Sequence, residues 1–118
     1  MFRKKFRIIG IALVLVSTPF SPVSAESFDW IMKSISKDGR LRNGDGHWWK
    51  FGLMENGKWG VDGAYGKSAT VTSAGENKVK IDGFPSNWRA DGSYIFTRSY
   101  EECVLKSDHS GHKMVWKC

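Results

Sequence analysis

Apolar and polar positions alternate through much of residues 47–118, a period of two that predicts short β-strands, whereas residues 28–35 follow a helical spacing. Phe28, Ile31, Met32 and Ile35 fall at i, i+3, i+4 and i+7 and so share one helical face. Ser27 can cap the amino end, Asp29 suits the positive pole of the helix dipole, and Asp38-Gly39 is a stop signal. A helix this short is marginal alone and must dock its apolar face.

Residues 40–46 read as polar, with Asn43-Gly44 and Asp45-Gly46 as turns. Residues 47–54 and 59–65 then flank Glu55-Asn56-Gly57-Lys58, and Asn-Gly is a strong hairpin signal. A two-residue loop would pair Met54 with Trp59, Gly52 with Val61 and Trp48 with Tyr65. That register predicts an interior face of Trp48, Trp59, Val61 and Tyr65. Trp49, Phe51 and Leu53 would form a second apolar face, opposite Gly60, Asp62 and Ala64. The helix or a binding partner would have to cover it, since one side of such a sheet is normally polar.

A second hairpin is predicted from residues 68–73 and 77–82 around Ala74-Gly75-Glu76. Val71 would face Val79 and Ala69 would face Ile81, leaving Thr70, Thr72, Lys78 and Lys80 on a wet side. Residues 82–87 form a loop by composition, followed by Trp88-Arg89 and the Asp91-Gly92 turn. Residues 93–98 and 100–106 are either two strands or one bent strand. Residues 114–118 form the last strand. A hairpin centred on Ser110-Gly111, with residues 109–112 as its loop, sets Cys103 directly opposite Cys118. The pair is expected to form one disulfide, worth roughly 3 kcal/mol on the chain-entropy model.

The amino-terminal 25 residues have another pattern. Arg3, Lys4, Lys5 and Arg7 precede an apolar run over residues 8–16, and Val23-Ser24-Ala25 supplies small residues for cleavage. This tripartite order predicts a secretory signal over residues 1–25, cut after Ala25. The apolar run falls short of the ~20 residues that span a bilayer, so no integral anchor is expected after cleavage. The expected compartment is periplasmic or extracellular, which favours the disulfide.

Removing the signal changes the charge. The chain has 18 Lys+Arg and 12 Asp+Glu, with four of the basic residues before residue 8, so residues 26–118 carry a net charge of only +2. Their signs are interspersed, without the basic cluster that binding to nucleic acid or anionic lipid normally uses. Neither partner is expected from the sequence.

Ninety-three residues suit one domain. Glycine-rich turns between aromatic and β-branched runs predict an all-β fold: a small antiparallel barrel or sandwich of six to seven short strands, with one short amino-terminal helix. The barrel is favoured because neighbouring strands are joined by hairpins.

Catalytic chemistry is not evident. Glu101 and Glu102 are adjacent on a strand and point to opposite faces. His47, His109 and His112 lack the spacing of a structural metal site, so no metal or cofactor is expected. Asp62 would sit beside aromatic surface without a visible partner. No nucleophile and base recur in a known pattern. Six tryptophans are more than a core this small needs, and Trp88 is the indole expected to be most exposed. The candidate binding residues are Trp49, Phe51, Asp62, Trp88 and Arg89. They predict a non-catalytic binding protein that contacts an extracytoplasmic protein or enzyme through an aromatic patch. The alternative is a carbohydrate-binding module that stacks sugars on the same rings.

Overall fold

The computed structural model describes residues 26–44 and 46–118; the signal expected over residues 1–25 lies outside them. The helix α1 spans Phe28–Ser36. Ser27 Oγ accepts the Trp30 N–H at 3.1 Å, and Asp29 pairs with Lys33 one turn on. Ile31, Met32 and Ile35 are fully buried, as their spacing predicts.

Eight strands follow: β1 (Arg40–Arg42), β2 (Trp48–Leu53), β3 (Trp59–Asp62), β4 (Ser68–Gly75), β5 (Lys78–Asp82), β6 (Gly92–Ser99), β7 (Glu102–Ser107) and β8 (Lys113–Lys117). Each pairs antiparallel with the next, in the spatial order β1 to β8. The sheet curls until β1 meets β8, giving a nearly closed barrel. The strand beyond the expected six or seven is β1, in a segment whose polarity hid it. Its middle residue, Leu41, is buried opposite Trp49.

One face of the sheet supplies the strands' share of the core. Trp49, Phe51, Val61, Val71, Ile81, Tyr94, Phe96, Leu105, Met114 and Trp116 all point inward, and the apolar face of α1 joins the same cluster. Trp116 Nε1 donates to Ser34 Oγ at 2.8 Å, and Trp30 meets Phe96 edge-on at 6.1 Å. A second apolar face requiring its own cover, as the first hairpin's predicted register implied, is not present.

The reason is a one-residue difference in that hairpin. Met54 N–H donates to the Lys58 carbonyl at 2.7 Å, enclosing a three-residue loop, with Gly57 at φ +81°. Asn56 has no positive φ; its side chain instead accepts the Lys58 N–H at 2.9 Å. A type I′ turn needs both central residues left-handed, whereas the loop seen here needs only the glycine. Phe51 therefore faces Val61, Leu53 faces Trp59 and Lys50 faces Asp62. Trp49 and Phe51 go inward with Val61, while Trp48 and Tyr65, expected inside, lie outside. Trp59 is half-buried against the core.

The second hairpin is displaced by two residues, so Val71 faces Ile81 and Ser73 faces Val79. A shift of two keeps every side chain on its expected face. Residues 93–106 resolve into β6 and β7, reversing at Tyr100, which has φ +55°. In the last hairpin, Ser107 N–H bonds the His112 carbonyl, so residues 108–111 form the loop and Cys103 faces Trp116. The disulfide Cys103–Cys118 is thus present, but diagonal rather than directly across, with a Cα–Cα distance of 5.7 Å.

Candidate functional site

In a meander, alternate connections emerge at the same end of the barrel. Four of them, residues 43–44 with 46–47, 63–67, 83–91 and 108–112, gather at one end and enclose a recess of about 240 Å3. Trp49 reaches its floor from β2, and its ring packs on Phe84 at 5.1 Å and His112 at 5.6 Å. His47, Tyr65, Asn87 and Trp88 form its sides.

Asn43 and His112 lock the wall where the barrel nearly closes. Both are buried, and Asn43 Nδ2 lies 3.2 Å from His112 Nδ1. Asn43 Oδ1 accepts the His47 N–H at 3.0 Å, which orients the amide nitrogen toward the imidazole. Nδ1 then accepts, and the proton on Nε2 is donated to the Trp88 carbonyl at 2.9 Å. This chain of contacts joins three of the four loops. Gly44 lies against the same seam, where a Cβ would collide with the Gly111 carbonyl.

The loop of residues 83–91 is held just as closely. Asp91 accepts the N–H groups of Gly83 and Phe84, each at 3.0 Å, and Tyr94 donates its hydroxyl to the Ala90 carbonyl at 2.6 Å. The Trp88 ring packs on Phe84 at 5.2 Å and 30°, so it is half-buried. Gly63 lets both rings approach, since a Cβ there would lie 3.1–3.2 Å from them.

Tyr65 differs. It stands 86% exposed on the rim, with a left-handed φ of +57° that a side chain seldom adopts. Gly63 N–H donates to the Lys67 carbonyl at 2.8 Å and Lys67 N–H returns to Ala64 at 3.1 Å, which fixes the turn that carries it. Beyond this rim a shallower groove runs onto the outer face, bordered by His47, Trp48, Lys50, Asp62 and Tyr65. Trp48 is 47% exposed there, with the Arg42 guanidinium 4.9 Å from its ring centre.

The expected binding residues are therefore dispersed. Trp49 and Phe51 are each 1% exposed and belong to the core, although Trp49 closes the recess from below. Trp88 lines the recess, and Arg89 is exposed next to it with φ +56°. Asp62 lies on the outer face opposite Lys50, not beside Phe51. The sequence reading missed His47, Asn87 and above all Tyr65. An aromatic residue within Gly63-Ala64-Tyr65-Gly66 was the available signal for an exposed turn.

Ser107, Asp108 and His109 also come together, but in the wrong arrangement for a catalytic relay. Ser107 Oγ and Asp108 Oδ1 both lie 3.2 Å from the same nitrogen, His109 Nδ1, whereas a relay uses the two ring nitrogens separately. Ser107 is buried, and its Oγ accepts the N–H groups of His109 and Ser110, a turn-forming role. Among the described residues, no three His, Cys, Asp or Glu side chains converge as metal ligands. Comparison with protein-family models, curated proteins and solved structures finds no match.

Proposed function

We propose that this is a non-catalytic binding protein of the periplasm or extracellular medium, which engages another protein through the loop end of its barrel. The observation that carries the reading is Tyr65: a fully presented aromatic ring in a strained backbone conformation, beside a recess whose walls are pinned by hydrogen bonds. Backbone strain concentrates where surrounding structure holds a residue ready for a task. Aromatic side chains on a rigid rim are typical anchors of protein interfaces. The disulfide supports an oxidising compartment. No described helix is long and apolar enough to cross a membrane.

A glycan is the second reading, favoured by one observation. Trp88 and Asn87 both line the recess, residue types that can stack on and hydrogen-bond one sugar unit. Calorimetry separates the two. Proteins captured from the matching extracytoplasmic extract are titrated with wild type and with Tyr65→Ala, in parallel with a panel of soluble polysaccharides. Submicromolar binding of one protein, weakened at least about tenfold by Tyr65→Ala, is expected of an anchor residue. Saturable glycan binding that quenches tryptophan fluorescence, with no protein ligand, would replace the first reading by the second.

A further inference from the structure

The register of β5 to β8 assembles a charge pattern that is scattered along the chain. Lys78 faces Ile95, Ile95 faces Lys106, and Lys106 faces Lys113, forming one row across four strands. Lys80, two residues from Lys78, adds a fourth ammonium group on the same outer face. All four lysines are exposed. The row spans about 14 Å at the ordinary strand spacing. Val104 and Val115 face each other in the adjacent row; Ile95 and Val115 are each 41% exposed. The patch thus interleaves lysines with aliphatic side chains.

An ordinary solvated face does not account for it well. Like charges directly opposite on neighbouring strands destabilise a sheet, and Lys106 lies opposite Lys113. Among the described residues none of the four lysines is in an ion pair. Lysines often protect the edge of a sheet, which accounts for Lys113 on β8. It does not account for Lys78, Lys80 and Lys106, because β5 and β7 are each paired on both sides. Acidic groups occur only at the margins. Asp82 and Asp108 lie beyond one side of the row, and Glu76 and Glu102 beyond the other, Glu76 two residues from Lys78 and Glu102 opposite Lys117.

We propose that this face docks on an anionic phospholipid surface. The lysines would lie at headgroup level, with Ile95, Val104 and Val115 reaching the acyl boundary. Charge alone would suit any polyanion. Exposed Ile95 within the row, with exposed Val115 and half-buried Val104 beside it, favours a lipid interface over a nucleic acid or an acidic polysaccharide, which offer no apolar layer. The site lies on the barrel wall and is separate from the loop-end recess.

The test uses the disulfide-bonded protein and sedimentation with vesicles of phosphatidylcholine containing about 30 mol% phosphatidylglycerol, against pure phosphatidylcholine. Binding to the anionic vesicles alone is expected, falling at least about tenfold for Lys106→Glu/Lys113→Glu and for Lys78→Gln/Lys80→Gln. Ile95→Ser should weaken it several-fold without changing its salt dependence, and Lys58→Glu, at a distant turn, should leave it unchanged. Thermal melting of each variant separates lost binding from lost folding, and the lysine pairs on different strands provide independent tests. Absent or charge-insensitive vesicle binding would overturn the proposal. Equal binding to duplex DNA or to an acidic polysaccharide, unaffected by Ile95→Ser, would do so as well.

Discussion

Asn43 and His112, 69 residues apart in sequence, meet at 3.2 Å where the first and last strands of the barrel come together without a strand ladder. Loss of the Asn43 side chain removes the acceptor of the His47 N–H and the contact with buried His112 Nδ1. Asn43→Ala should therefore destabilise the fold by about 1–3 kcal/mol, measured by urea denaturation. Gly44→Ala should have a similar effect by pressing a methyl group on Gly111. In both variants, amide exchange should rise first in β1 and β8. Uniform acceleration throughout the barrel would show that this contact does not govern the seam.

Trp49 and Tyr65 should separate stability from binding. Trp49→Ala should cost about 3–5 kcal/mol, as expected for a large aromatic ring removed from a core. Tyr65→Ala should stay within about 0.5 kcal/mol of wild type, since its ring touches little. Tyr65→Gly should be at least as stable as Tyr65→Ala, because glycine accepts the left-handed backbone. Guanidinium melts of the three variants give the ranking. A costly Tyr65→Ala would assign the ring a structural role.

How far these residues could be read from the sequence depended on parity. The helix face, the disulfide partners and the all-β class were legible because each rests on local spacing or on a count of two cysteines. The second hairpin tolerated an error of two residues, since inside and outside alternate with that period. The first did not. Whether Asn56 enters the left-handed region decides between a two- and a three-residue loop, and that choice exchanges Trp48 for Trp49 in the core. Leu41 was hidden because one buried residue between two arginines does not establish a pattern. The recess was less legible still, because it joins loops from four separate connections. The lysine row exists only once four strands are in register.

Reduction should reveal what the Cys103–Cys118 bridge contributes. Cys103→Ser/Cys118→Ser should lose about 3 kcal/mol, the entropy of closing a loop of roughly 15 residues. Alkylation of the oxidised wild type should label neither cysteine until a reductant is added. Labelling of protein prepared under oxidising conditions would show that the bridge does not form.

Trp116 and Ser34 provide a smaller, separate test. Ser34→Ala removes the acceptor of the indole N–H and should cost about 1 kcal/mol by chemical denaturation. Ser34→Thr retains a hydroxyl and should recover most of that loss. Equal effects of the two substitutions would show that crowding, rather than the hydrogen bond, governs this contact.

The consecutive order of the strands also governs when the barrel can close. Each ladder joins neighbours in sequence, so β2 to β7 can add one strand at a time without closing a long loop. Ser34 on the helix and Asn43 just after β1 precede the other strands, yet their partners Trp116 and His112 lie on and just before β8, the last strand. The first and last elements of the barrel must therefore wait for each other. In pulse-labelled refolding, protection of Leu41 should coincide with that of Met114 and follow that of Val71 and Ile81. The vulnerable interval for an incomplete chain is one in which a half-built sheet already exposes its whole inner face.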